Sequence, residues 1–163
     1  MSDMTKTSTI PDQDALKRLG AKVRQRLESD PDIYKVPTDK AEIYAVANFL
    51  SPEECRRFIT MIDVVARPSE LHETAYIEKF RTSYSGNFHP DDPFVKCVSR
   101  RIDDLLGLPA VNGEAIQGQR YLPGQEFKPH NDWFYTDQEY WQEERKRGGQ
   151  RCWTALAFLT KGP

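Results

Sequence analysis

Residues 116–134 read IQGQRYLPGQEFKPHNDWF, a run that begins as a strand, turns at Pro123-Gly124 and ends among aromatics around His130 and Asp132. Its first seven residues, IQGQRYL, predict a strand, and the Pro-Gly pair punctuates it. His130 and Asp132 are two apart, so on an extended backbone both side chains point the same way, separated by ~6.5–7 Å along the axis. An imidazole and a carboxylate so placed can converge on one ion. They form two-thirds of the 2-His-1-carboxylate triad of non-haem Fe(II) oxygenases. The residues alone leave a second reading open, a polar spot at the end of a core strand.

Working outward, apolar positions Leu16, Leu19, Val23 and Leu27 predict a helix from Asp14 to about Glu28, after a loose leader over 1–13. Residues 29–40, SDPDIYKVPTDK, form a connector, and 42–50, EIYAVANFL, a strand. SPEECRRFITMIDVV starts a helix with clear punctuation: Ser51 as N-cap, Pro52 at the first position and Glu54 completing a capping box. Residues 73–88 are expected to be extended and to end in a turn at Gly86-Asn87. Phe94, Val98, Ile102 and Leu105 or Leu106 share a helical face that Gly107 stops. After a loop over LPAVNGEA comes the strand of the opening run. Residues 135–150 read as a polar insertion, and RCWTALAFLT (151–160) as a strand apolar on both faces. Helices precede strands without βαβ alternation, so the fold class is α+β, with helices buttressing one side of a mainly antiparallel sheet.

The chain has 163 residues and a formal net charge of −2, which suits one soluble domain and gives no electrostatic reason to expect nucleic acid or anionic lipid as partner. No run approaches the roughly 20 apolar residues of a membrane span. The polar N-terminus lacks the apolar core of a secretory signal, so a cytoplasmic location is expected. Cys55, Cys97 and Cys152 are far apart and read as buried or inert thiols. His72 and His89 sit in polar, loop-like surroundings and read as surface or turn histidines. The basic run RKRGGQR (145–151) reads as a solvated loop. Neither a Ser-His-Asp arrangement, nor a Gly-x-Ser-x-Gly elbow, nor a phosphate-binding glycine loop is found.

Five segments in order carry a resemblance: NFLSPEEC (48–55), RTSYSG (81–86), RRIDDLLGLPAVNGEAIQ (100–117), QGQRYLPGQEFKPHNDWF (117–134) and QRCWTALAFLT (150–160) behind Gly148-Gly149. Together they resemble the catalytic domain of the prolyl 4-hydroxylase family, α-subunit-like dioxygenases that depend on Fe(II) and 2-oxoglutarate. The resemblance covers about residues 43–160, and divides the chain into a leader, helix and connector over 1–40 and a partial dioxygenase domain over 41–163. It implies a double-stranded β-helix, or jelly roll, with helices packed on one side. By position, it implies that His130 and Asp132 are iron ligands and that Tyr121 hydrogen-bonds 2-oxoglutarate. Arg81, Ser83 and Arg151 match residues lining a groove for a proline-containing protein or peptide substrate. L-ascorbate would keep the iron reduced. Phe127 stands where the family commonly has a substrate-side tyrosine.

The family pattern continues with a Gly-Gly-x-Thr strand, a distal histidine as third ligand and a lysine that pairs with 2-oxoglutarate. Those positions fall beyond Pro163, so the C-terminal strands are expected to be missing and the 163 residues by themselves to be inactive and aggregation-prone. A different class, a non-catalytic fragment or peptide-binding remnant of the same fold, is the alternative. A hydrolase using His130 and Asp132 with another metal is more distant. The oligomeric state is not legible in the sequence.

Overall fold

The computed structural model describes residues 11–69 and 81–160. Residues 1–10 of the leader, His72 and the first half of the extended stretch expected over 73–88 therefore lie outside the described residues. Element order is α1 (Gln13–Glu28), β1 (Ile33–Lys35), β2 (Tyr44–Val46), α2 (Pro52–Val65), β3 (Arg67–Pro68), β4 (Tyr84–Asn87), α3 (Pro93–Leu106), a 3-10 turn (Ala110–Asn112), β5 (Gln117–Arg120) and α4 (Trp141–Arg147). The strands form a two-stranded sheet, β1-β2, and a three-stranded antiparallel sheet, β3-β4-β5. The class is α+β, and among the described residues no sheet closes into a barrel. No described helix is long and apolar enough to cross a membrane.

The chain divides into two compact units, the first comprising residues 1–45, 103–113 and 132–154, the second residues 46–102, 114–131 and 155–163. In the first, Asp12 caps α1 by accepting from the Asp14 and Ala15 amides at 3.0 Å, and α1 buries Val23 and Leu27. The connector expected over 29–40 contains the short strand β1. Glu28 Oε1 accepts from Lys35 Nζ at 2.6 Å and from the Tyr44 hydroxyl at 2.8 Å, and these partners hold its carboxyl below the usual glutamate range.

The second unit holds the core, made of Phe58, Ile62 and Ala66 with Phe88, Val95 and Val98. α2 begins as its sequence predicts: Ser51 Oγ accepts from the Glu54 amide at 3.1 Å, and Glu54 Oε2 accepts from the Ser51 amide at 2.8 Å. The other Glu54 oxygen accepts from Arg101 Nη2 at 2.7 Å, which ties the start of α2 to α3. Asp92 caps α3, its Oδ1 accepting from the Phe94 and Val95 amides at 2.8 and 3.1 Å. Phe58 meets Phe88 and Phe94 with ring centroids 5.3 and 4.6 Å apart.

Gly86 and Gly118 lie directly opposite each other across β4 and β5, beneath α2. A Cβ on Gly86 would stand 2.5 Å from the Val65 carbonyl oxygen, and one on Gly118 2.5 Å from Ile62 Cγ1. The paired glycines are therefore a bare lane on which α2 rests. This corrects the expected turn at Gly86-Asn87: both residues are inside β4, and the turn follows at residues 90–91. A glycine can mark close backbone approach as well as a turn, and here the approach of α2 decides between them.

Two further expectations are corrected. The polar insertion contains the helix α4, whose Glu143 and Glu144 lie in the first turn and Arg145, Lys146 and Arg147 in the last, charges that complement the helix dipole. Its one buried side chain is Trp141, beside Phe134. Conversely, Arg151–Thr160 is not a strand, because no neighbour among the described residues supplies a ladder of hydrogen bonds. Leu156 and Phe158 are 68% and 83% exposed. The three cysteines are free thiols. Cys55 is half-buried, and Cys97 and Cys152 are exposed.

Candidate metal and substrate-binding site

In the second unit the face of the β4-β5 pair turned away from α2 is polar. Side chains alternate along a strand, so Ser85 and Asn87 of β4, opposite Gln119 and Gln117 of β5, share that face. Gln117 Nε2 donates to Asn87 Oδ1 at 3.1 Å, Gln119 Nε2 donates to Gln117 Oε1 at 3.2 Å, and the Tyr121 hydroxyl donates to Gln119 Oε1 at 3.2 Å. Arg81 joins them, its Nη2 donating to Gln117 Oε1 at 3.3 Å and its Nε to Ser83 Oγ at 3.2 Å. Ser83 is 1% exposed and shares a 3.1 Å hydroxyl contact with Ser69, which donates to Ser85 Oγ at 2.9 Å. Arg81, Ser83 and Tyr121, three residues singled out from the sequence, are thus assembled on one sheet face. Burial lowers the Arg81 pKa, with the nearby Tyr121 acting against it; a guanidinium stays protonated in either case.

His130 belongs to the same unit. Backbone pairing carries the sheet toward it: Arg81 bridges Phe127, and the Thr82 amide donates to the Glu126 carbonyl at 3.0 Å. The His130 imidazole stacks on Phe127, with centroids 3.6 Å apart and planes 18° apart. Its Nδ1 lies 2.7 Å from the Lys128 carbonyl oxygen. A carbonyl can only accept, so Nδ1 carries the proton and a neutral ring has its lone pair on Nε2. This is the usual support of a metal-binding histidine. The expected strand geometry at His130 and Asp132 is absent: residues 128–134 are assigned to no strand, for the same lack of a ladder that leaves 151–160 unpaired.

In the first unit Asp132 is held by residues that follow α4. Thr154 Oγ1 donates to Asp132 Oδ2 at 2.8 Å, and Arg151 Nη1 to the Asp132 carbonyl at 3.4 Å. The Arg151 guanidinium lies 4.3 Å from the centre of the Phe134 ring, and Gln150 brackets the Phe134 backbone, accepting from its amide at 2.6 Å and donating to its carbonyl at 2.8 Å. An imidazole nitrogen and a carboxylate are donor types that suit Fe(II). Among the described residues, however, no group of three or more His, Cys, Asp or Glu is placed to hold a metal ion. His89 is in an exposed turn, where its Nδ1 accepts from the Asp91 amide at 3.2 Å. The residues that sequence reasoning missed are Gln117 and Gln119, whose alternation with Tyr121 was a usable signal, and Thr154, which has none.

The chain is 36% identical over 123 residues to prolyl 4-hydroxylase 5 of Arabidopsis thaliana, a match covering 69% of this chain and 39% of the relative. It is 34% identical over 152 residues to prolyl 4-hydroxylase 1 of the same plant, covering 82% of this chain and 50% of that one. The chain belongs to a prolyl 4-hydroxylase-like family. It is also 34% identical over 123 residues to probable prolyl 4-hydroxylase 3, covering 69% of this chain and 39% of the relative. The chain thus spans half or less of the length of these prolyl 4-hydroxylases. No protein-family model matches it.

Proposed function

We propose that these residues are part of a 2-oxoglutarate- and Fe(II)-dependent dioxygenase that hydroxylates prolyl residues in a protein or peptide, on a jelly-roll domain that includes residues 41–163. The observation that carries the reading is the His130 tautomer set by the Lys128 carbonyl, in a chain whose relatives are prolyl 4-hydroxylases. His130 through Nε2 and Asp132 through its carboxylate would hold the iron, which L-ascorbate keeps reduced. With 2-oxoglutarate and O2 the bound iron supplies the oxidation, one oxygen atom entering the prolyl C–H bond and the other entering succinate as CO2 leaves.

The chain's own residues bind and orient. Tyr121 offers its hydroxyl to 2-oxoglutarate. Arg81, held by Ser83 and Gln117, presents a fixed cation to carbonyl groups of a peptide. Thr154 occupies one oxygen of Asp132 and so orients the other. Arg151, resting on Phe134, has the second peptide-lining role. Two protein ligands hold iron less firmly than three, so the 163 residues by themselves are inactive.

Succinate formed with Fe(II), ascorbate and a proline-containing peptide tests this. The 163 residues alone give no more than a protein-free control. A chimera in which a curated relative's sequence follows Pro163 gives peptide-dependent succinate, which His130→Ala and Asp132→Ala abolish. A chimera that folds without that activity sinks the dioxygenase reading, and robust turnover by the 163 residues alone sinks the claim of inactivity.

A further inference from the structure

We propose that Phe127 is a positioning residue for His130, setting the plane of the imidazole and hence the direction of its Nε2 lone pair. The inference rests on the metal-binding reading above and adds a role for a side chain that bears no donor atom. A metal–imidazole bond needs the lone pair aimed in the ring plane, which takes two constraints. The hydrogen bond from Nδ1 to the Lys128 carbonyl sets the tautomer but does not by itself stop the ring turning about that bond. Rotation about the terminal sp3–sp2 torsion of histidine is soft, so nothing intrinsic to the side chain stops it. Stacking at 3.6 Å and 18° on Phe127 supplies the second constraint.

Phe127 is itself held. The Arg81 guanidinium lies 4.7 Å from the centre of its ring, a cation–π contact, and Arg81 is anchored through Ser83, which is 1% exposed. The backbone bridge between Arg81 and Phe127, with Thr82 paired to Glu126 on both its amide and hydroxyl, keeps the two residues in register. An ordered sheet face, a guanidinium, a phenyl ring and an imidazole thus follow one another in contact. A hydroxyl on this ring is not needed for the stack, so Phe127 retains the positioning role whether or not it contacts substrate.

The test uses the full 163-residue chain with 13C-labelled histidine, whose three histidines give a simple spectrum, and Co(II), which binds nitrogen and oxygen donors more tightly than Fe(II). The wild type is expected to show cross-relaxation between the Phe127 ring and His130 ring protons, with the latter displaced upfield. Phe127→Met, which keeps apolar volume without a ring, loses that displacement and weakens Co(II) binding about 10-fold. Phe127→Tyr restores both. Absence of the cross-relaxation in the wild type, which requires no variant to fold, overturns the stack. Unchanged Co(II) affinity in a folded Phe127→Met chain overturns the positioning role. If excess Co(II) leaves the wild-type His130 signals untouched while the stack is intact, the positioning role toward a metal is overturned, whereas the dioxygenase reading stands or falls with the chimera.

Discussion

Helix α2 and residues 151–160 are both rich in large apolar residues, yet one is core while the other packs only Leu159 against that core and leaves Leu156 and Phe158 open. Phe58 and Ile62 are 4% and 7% exposed, whereas Leu156 and Phe158 are 68% and 83% exposed. The difference lies in where the backbone finds its partners. A helix closes its own hydrogen bonds and needs only a surface for one stripe, and the Gly86–Gly118 lane provides that surface. An extended segment must borrow its hydrogen bonds from a neighbour, and Arg151–Thr160 has no paired neighbour among the described residues. Composition therefore marks a segment as wanting burial, while partners decide whether it is buried.

The sharpest way to break this comparison is to truncate one phenylalanine on each side. Phe58→Ala is expected to cost about 4 kcal/mol in urea unfolding, from lost contacts with Phe88 and Phe94 and the cavity left behind. Phe158→Ala should stay within about 0.5 kcal/mol, as for exposed positions generally. Equal losses would show that residues 151–160 are as well packed as α2.

Next comes the lane itself. Gly118→Ala puts a methyl 2.5 Å from Ile62 Cγ1 and 2.8 Å from Phe88 Cζ, and is expected to destabilise by about 2 kcal/mol. Gly20→Ala, in the middle of α1 where the nearest atom to a new Cβ is 3.5 Å away, should stabilise by about 0.5 kcal/mol. A neutral Gly118→Ala would mean that α2 does not rest on the strands as described.

Ser51→Ala removes the cap of α2 and should cost about 1 kcal/mol. The same helix end carries a pH signature. The Glu54 carboxyl is held below its ordinary 4.5, first by the Ser51 amide and then by Arg101. A carboxyl depressed in the folded state stabilises above its unfolded pKa and loses that contribution as pH falls through the folded value. The melting-temperature gap between wild type and Glu54→Gln should accordingly be full near neutrality and close as pH drops below 4.5. A gap that widens on acidification would contradict the hydrogen bonding of Glu54. Smallest of all, Leu156→Asp with Phe158→Asp should leave the melting temperature nearly unchanged while lowering light scattering from aggregates.

Much of the helical frame was legible. The capping box at Ser51 and Glu54, the face of α3 and the stop at Gly107, whose φ is +65°, are local signals resolved by local geometry. α4 was not read from the sequence: acidic residues precede basic ones after Trp141, but the polarity of the stretch masked the helix. The role of Gly86 was not: a glycine before asparagine reads as a turn until α2 is seen lying against it. The site shows the same division. Arg81, Ser83 and Tyr121 could be named from their segments, but their joint placement on one sheet face follows from the register of β4 and β5 and from Gln117 between them.

The sequence by itself determined α1, α2 and α3, the capping box of α2, the apolar stretches and the family, because these depend on residues near one another in the chain or on ordered motifs along it. Only the tertiary structure decided which apolar stretch is buried, which glycine serves as a floor and which ring steadies His130. Those outcomes depend on contacts between residues far apart in sequence, such as Ile62 with Gly118 and Arg81 with Phe127, which no local pattern of residues specifies.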